Sequence, residues 1–472
     1  MVFSSEIFLF LFLPVFLVVY TLAPWRFKSA VIVLGSYLFY GWWRLDYLGL
    51  LILTTTWTYV IGNRVRRSTP EASRVWVAVG VAGCLSVLGV FKYFNFFVDS
   101  FAALLGTDAA ALGLHWQILL PIGVSFYVFH CISYLVDVYR HDAGEPVSFL
   151  DFAAFVSLFP QLVAGPILRF KDLADQFRHR VQTMDLMTDG LMLFIIGLAK
   201  KVLLADSVAP LANAAFEASD PGLLLSWLGA LAYMMQIYFD FSGYSDMALG
   251  LGLMLGFRFR ANFDLPYIAR SITEFWRRWH ISLSIWLRDY LYIPLGGNRI
   301  SPRRTYVNLL TVMVLGGIWH GAAWTFVLWG IWHGTWLAVE RATGMARSDS
   351  AAALVRTLLI VLISWVMFRA ATVTDAFDIY AGMIGFNGLG LSLAEEISVT
   401  MESIWALALC LLAASLEPAV RRGVSEVMVP RPDGTLTLVN SLVPVAALAA
   451  LGALVVLRLA EQSYSPFLYF QF

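Results

Sequence analysis

Charge is scarce in this sequence of 472 residues: Asp, Glu, Lys and Arg make up 14%, and 32 basic side chains are matched by 32 acidic ones. Soluble domains carry about one charged residue in four, so a soluble globular class is excluded. A net charge of zero gives no polycation for a nucleic acid, and none is expected as a partner. Cysteine is scarcer still. Cys84, Cys131 and Cys410 lie in apolar stretches without CxxC spacing, and an odd count argues against a disulfide framework, which leaves them as packing residues. Absent too are GxxxxGKS/T, a GxGxxG at a strand-to-helix junction and HExxH, so ATP-driven transport, a Rossmann cofactor and a zincin centre lack support. No carboxylate or thiolate stands at ligand spacing from His280, His320 or His333, and no metal or bound cofactor is expected.

What the chain has instead is apolar surface, 60% of its residues, with 15% aromatics. Such a chain is an integral membrane protein, enclosed by the lipid bilayer. Its first stretch, MVFSSEIFLFLFLPVFLVVYTLAPWRFK, has no basic n-region; Glu6 precedes the apolar run and Arg26 and Lys28 follow it. We read it as an uncleaved first span that starts outside the cytoplasm.

Basic residues near span ends set orientation. Arg64, Arg66, Arg67 and Arg74 place the loop after the early spans inside, and the strongly basic stretch 256–304 belongs there too. The acidic stretch 372–402 belongs outside, and a final span at about 438–459 takes the C-terminus outside. FAAFVSLFPQLVAGPILRFK, interrupted by Pro160 and Pro166, reads as a re-entrant segment. The expected fold is therefore an all-α polytopic membrane protein of roughly eleven or twelve transmembrane helices with re-entrant and interfacial pieces. It forms a single membrane domain over 1–472, with core motifs in about 117–340 and a tail at 460–472.

Three places set polar groups in apolar surroundings. In TVMVLGGIWHGAAWTF, His320 stands between Gly316, Gly317 and Gly321, flanked by Trp319 and Trp324. Segments 305–319 and 323–340 form a hairpin with His320 at its bend. An imidazole there needs a protein partner or a cavity, since lipid offers neither donor nor acceptor. His333 further along reads as a packing histidine. In SITEFWRRWHISLSIWLRDYLYIPLGGNR, positions 276, 279, 280, 283 and 287 recur at helical spacing, so Trp276, Trp279 and His280 share the apolar face of an amphipathic helix. In YFDFSGYSDMALG, Asp240, Ser242, Tyr244 and Asp246 crowd one end of a span; they serve either helix packing or the lining of a cavity.

The segments EFWRRWHISLSIWLRDYLYIPLGGNR, GIWHGAAWTFVLWG and YFDFSGYSDMALGLGLMLGF resemble the signature of the membrane-bound O-acyltransferase family, in its bacterial polysaccharide branch. The likeness extends through LPIGVSFYVFHCISYLVDVYR, LFPQLVAGPILRF and SPFLYFQF. It implies a ring of helices around a funnel or tunnel, a catalytic histidine at His320 and a second motif histidine at His280. It also implies O-acetylation of an exported polysaccharide such as alginate, with acetyl-CoA as donor substrate, at a bacterial inner membrane. A separate periplasmic acetyltransferase of the SGNH type, or a polysaccharide secretion complex, is the implied partner. Tyr469 in the tail is a candidate acyl relay, because a phenol can accept an acyl group and pass it on; Phe467, Phe470 and Phe472 read as an interfacial anchor. The competing class is a transporter or flippase in which His320 and Asp246 relay protons or line a substrate path.

Overall fold

In hydrocarbon every peptide group must be satisfied within the protein, and helices do so within a single segment. The computed structural model describes residues 1–114, 117–144, 147–430, 436–438, 442–461 and 467–468. Among these, regular structure is helical except for one short antiparallel pair, Met428–Pro430 with Leu436–Leu438. The all-α polytopic class is the observed one. Among the described residues five helices are long and apolar enough to cross a membrane: Leu45–Arg67, Pro70–Leu104, Leu223–Met254, Ala351–Arg369 and Met401–Arg422. The helix Val124–Tyr139 has only 16 residues, about 24 Å at 1.5 Å per residue. It is buried along almost its whole length, so protein rather than lipid encloses it.

The chain groups into two compact units, Met1–Met187 with Leu251–Arg260, and Thr188–Gly250 with Ala261–Phe472. In the first, the interrupted segment is a helix Phe149–Ser157, capped by the Ser148 hydroxyl, followed by a single turn Phe159–Leu162 that Pro160 starts. Every residue from 152 to 170 is buried, the one setting in which irregular backbone is tolerated at depth. Phe159 is the hub: the rings of Phe3, Phe8, Phe12, Phe16 and Phe39 lie 5.0 to 6.4 Å from it.

The second unit is assembled through glycine. A Cβ at Gly243 would meet the Gly197 carbonyl at 2.6 Å, and one at Gly250 the Gly190 carbonyl at 2.4 Å, so Leu223–Met254 packs backbone to backbone against its neighbour. The expected hairpin is present as Pro302–His320 and Trp324–Thr343. Ser301 caps its first helix by accepting from the Arg304 amide, with Pro302 at the first helical position. Close approach comes from Gly330, where a Cβ would lie 2.5 Å from Met313 O and 2.8 Å from Val314 Cα. Backbone cannot yield as a side chain can. Gly330→Val is expected to destabilise the protein by about 1–3 kcal/mol, read as a lower melting temperature in detergent. Gly49→Ala, with nothing within 4 Å of the added atom, serves as the neutral control, and equal melting of the two variants would contradict the packing described.

Candidate active site

His320 is the last residue of the first hairpin helix and is 4% exposed. Rings enclose it: Trp319 at 5.1 Å, Trp329 at 5.3 Å and Phe368 at 5.3 Å, with His280 at 6.0 Å. One side of the residue borders a cavity of about 190 Å³ whose wall includes Trp276, Ser284, Leu287, Arg288, Met313 and Trp329. His320 therefore borders a cavity while protein rings, and neither lipid nor bulk solvent, enclose its imidazole.

His280 arrives from a different direction. Its φ of 44° is left-handed, a conformation that costs a non-glycine residue roughly 1–2 kcal/mol. The expected single amphipathic helix is consequently two, Ile272–Arg278 and Ile281–Leu287, with His280 at the break. A left-handed residue cannot continue a right-handed helix, and the spacing of apolar residues carries no warning of it. Such strain persists only where the surroundings enforce it.

Those surroundings also assign the tautomer. The Ser282 amide and hydroxyl both donate to Asn262 Oδ1, at 3.1 and 2.9 Å, so it is the oxygen of Asn262 that faces them. His280 Nδ1 lies 3.2 Å from the same atom and must be the protonated nitrogen, leaving the lone pair on Nε2. His280 lies outside the membrane-crossing helices, and burial pushes its pKa down to about 3, because desolvation disfavours the cation. A neutral ring with an accepting Nε2 is the result.

The remaining candidates separate into groups. Trp276 lines the cavity, and its indole N–H donates to His333 Nδ1 at 3.4 Å. His333 Nε2 contacts the Ser364 hydroxyl at 3.0 Å, so both its nitrogens are used in packing. Trp319 is buried against His320 and lies 6.1 Å from His280. Trp279 is core, stacked on Phe275 at 5.6 Å and tilted against Trp365 at 4.9 Å, and it does not line the cavity. Trp324 is 56% exposed and does not line it either.

The carboxylates form a second cluster. Asp246 pairs with Lys200 at 2.9 Å, which also reaches Glu417 at 3.6 Å; Glu417 in turn accepts from the Tyr238 hydroxyl. Asp240 pairs with Lys201 at 2.8 Å, and Lys201 also holds Asp206 at 2.6 Å. Ser242 and Tyr244 are both buried. The C-terminal tail enters here. The Leu468 amide donates to Asp240 Oδ2 at 2.9 Å, and the Phe467 ring packs on Tyr244 at 4.5 Å and on Phe241 at 6.1 Å. Phe467 and Leu468 are 3% and 5% exposed, so Phe467 is an internal packing residue and not the interfacial anchor expected. Phe241 links tail and site, its ring standing edge-on to His280 at 4.7 Å. Tyr469, Phe470 and Phe472 lie outside the described residues.

Sequence reasoning missed Phe241, Asn262, Ser284, Trp329 and Phe368. Trp329 was within reach, one helical turn before His333. Asn262 and Phe368 come from distant segments and carry no local pattern.

Several membrane-length spans and a buried imidazole beside an apolar cavity define a polytopic helical membrane protein with an enclosed candidate site. Comparison gives the class its family. Residues 111–374 match the membrane-bound O-acyltransferase family. Over the full length of both chains the protein is 48% identical to the probable alginate O-acetylase of Azotobacter vinelandii and 46% identical to that of Pseudomonas aeruginosa. It is 36% identical to the peptidoglycan O-acetyltransferase of Helicobacter pylori, over 84% of this chain and 82% of that one. The chain belongs to the membrane-bound O-acyltransferase family, and it is a multi-pass membrane O-acyltransferase.

Proposed function

We propose that this enzyme takes an acetyl group from acetyl-CoA at the cytoplasmic face of a bacterial inner membrane and passes it across for O-acetylation of an exported polysaccharide such as alginate, with His320 as general base. The observation that carries the reading is the buried imidazole in the wall of a cavity that Arg288 also lines. The similarity to alginate O-acetylases supports the acetyl group and the polymer.

The chemistry follows from the geometry. An acceptor hydroxyl beside His320 gives its proton to the ring as its oxygen attacks the thioester carbon; the tetrahedral intermediate then breaks its C–S bond, and the thiolate leaves with that proton. Proton transfer of this kind contributes about 10²- to 10⁴-fold. The Trp329 indole N–H, which finds no partner among the described residues, is a donor beside the ring for the developing oxyanion. Neutral His280, with its accepting Nε2, suits orientation of an acceptor hydroxyl better than donation to an oxyanion. At about 190 Å³ the cavity is smaller than the ~300–1,000 Å³ that encloses a drug-sized ligand. It takes the acetyl-thioester end of the donor, and the phosphates of the nucleotide remain outside on the arginine-rich stretch 256–304.

The tail is a relay in this scheme. Phe467 and Leu468 are held on the cluster that adjoins His280, and Tyr469 is the next residue in the chain. Acetylation of its phenol, followed by attack of a second acceptor on the ester, would hand the group to a periplasmic acetyltransferase of the SGNH type or to a secretion complex. Purified protein in detergent is expected to release thiol from acetyl-CoA, whereas a carrier would release none. Tyr469→Phe keeps the ring and removes the hydroxyl. It is expected to abolish acetylation of the polymer in cells; full acetylation would remove the relay and leave His320 in place.

A further inference from the structure

Away from the active site, the first unit holds a cavity of about 410 Å³ lined by Tyr20, Trp25, Lys28, Arg180, Gln182 and Thr183 among others. Two of these are cations, and among the described residues no lining side chain is a carboxylate. Arg180 is 7% exposed. Its guanidinium is fixed by the Tyr20 hydroxyl, to which Nε donates at 2.8 Å, and by the rings of Trp25 at 4.9 Å and Phe257 at 4.5 Å. Nη1 makes only long contacts, 3.4 Å to the Gln176 and Phe177 carbonyls, and Nη2 is buried with no hydrogen-bond partner among the described residues.

Lys28 is brought to the same place. Its Nζ lies 4.3 Å from the centroid of the Tyr20 ring, over which Arg180 Cζ also lies, at 5.9 Å. Nζ donates to the Tyr20 carbonyl at 3.1 Å and to Gln182 Oε1 at 2.9 Å, while Gln182 Nε2 is occupied by the Met254 carbonyl at 3.0 Å. Two positive groups on one ring repel each other, and burying a guanidinium without a counter-charge is costly. An anion supplied from outside the chain offsets both terms.

We propose that Arg180 and Lys28 form a binding site for a phosphate ester, occupied by the headgroup of an anionic membrane phospholipid. The guanidinium offers a donor in the planar geometry that phosphate oxygens match, and the ammonium offers a point charge. The rim argues for a lipid over a soluble phosphate. Of the lining residues, Met184 is 78% exposed and Trp25 about half exposed, which places apolar side chains beside the cations as acyl chains beside a headgroup require. The site is independent of the acetyl-transfer reading.

The test uses the full-length protein in mild detergent, exchanged against phosphatidylglycerol or phosphatidylcholine and examined by native mass spectrometry. Parallel titrations use inorganic phosphate and CoA. Wild type is expected to retain phosphatidylglycerol selectively, and Arg180→Gln and Lys28→Gln to lose it by about 10- to 100-fold, as removal of a charge-assisted hydrogen bond implies. Thermal unfolding verifies that each variant is folded. If Arg180→Gln fails to fold, Lys28→Gln decides alone, because its contacts are partly exposed. Binding of phosphate or CoA that depends on both residues, without lipid retention, would overturn the lipid as occupant. Equal retention in wild type and variants would overturn the site.

Discussion

The His320→Ala variant is expected to insert and fold, yet to lose acetyl transfer by about 10²- to 10⁴-fold. The ring ends a helix and borders a cavity, so its truncation enlarges a space that already exists and leaves the Gly317 and Gly330 contacts that close the hairpin. Folding should therefore survive a change that removes the imidazole proposed as base. His320→Gln, which fills the same volume and cannot take up a proton, should be as inactive as the alanine variant. The measurements are thiol release from acetyl-CoA by the purified protein and ester content of the polymer in cells, with melting temperature as the check on folding. Retained acetylation in either variant would exclude the catalytic role.

The largest expected loss of stability lies at Lys201. Its side chain is 4% exposed and is shared by Asp206 and the almost fully enclosed Asp240. Lys201→Met removes the cation that both carboxylates use, and breaking a buried pair in this way costs about 3–5 kcal/mol. Replacing both partners, as in Lys201→Met with Asp240→Leu, removes the most deeply buried charge along with its cation and should restore much of the stability. Activity should not return with it. Asp240 is also the acceptor for the Leu468 amide, so the double variant loses the tether of the tail. Melting temperature that recovers while polymer acetylation stays low is the expected pattern. Recovery of both would show that the tail needs no such anchor.

The two residues illustrate how unevenly the site could be read. His320 announces itself in sequence, because an imidazole between glycines in an apolar run is too costly to leave facing lipid, and the hairpin around it follows from the basic ends of its two helices. Asp240 was visible as an expensive carboxylate, but it was expected at a span end and lies in the middle of the helix Leu223–Met254, and its partners stand 39 and 228 positions away, at Lys201 and Leu468. Helical spacing misled at His280, where a left-handed residue splits the expected helix in two. The exposure of Trp324 and the burial of Trp279 and Phe467 were likewise beyond reach, since an aromatic residue is compatible with lipid, core and interface alike.

By itself the sequence determined the solvent, the helical class and the histidine at the hairpin bend. These are local properties: hydropathy fixes which environment a segment can enter, and the backbone's need for hydrogen bonds then leaves it the helix. Only the tertiary structure decided that His280 sits at a strained break with its proton on Nδ1, that Asp240 holds the tail, and that Arg180 and Lys28 share a ring in a cavity where no described lining residue is a carboxylate. Each of these depends on side chains from remote segments meeting within a few ångströms, and such meetings are set by close packing of many surfaces at once, for which no single stretch of the chain carries a signal.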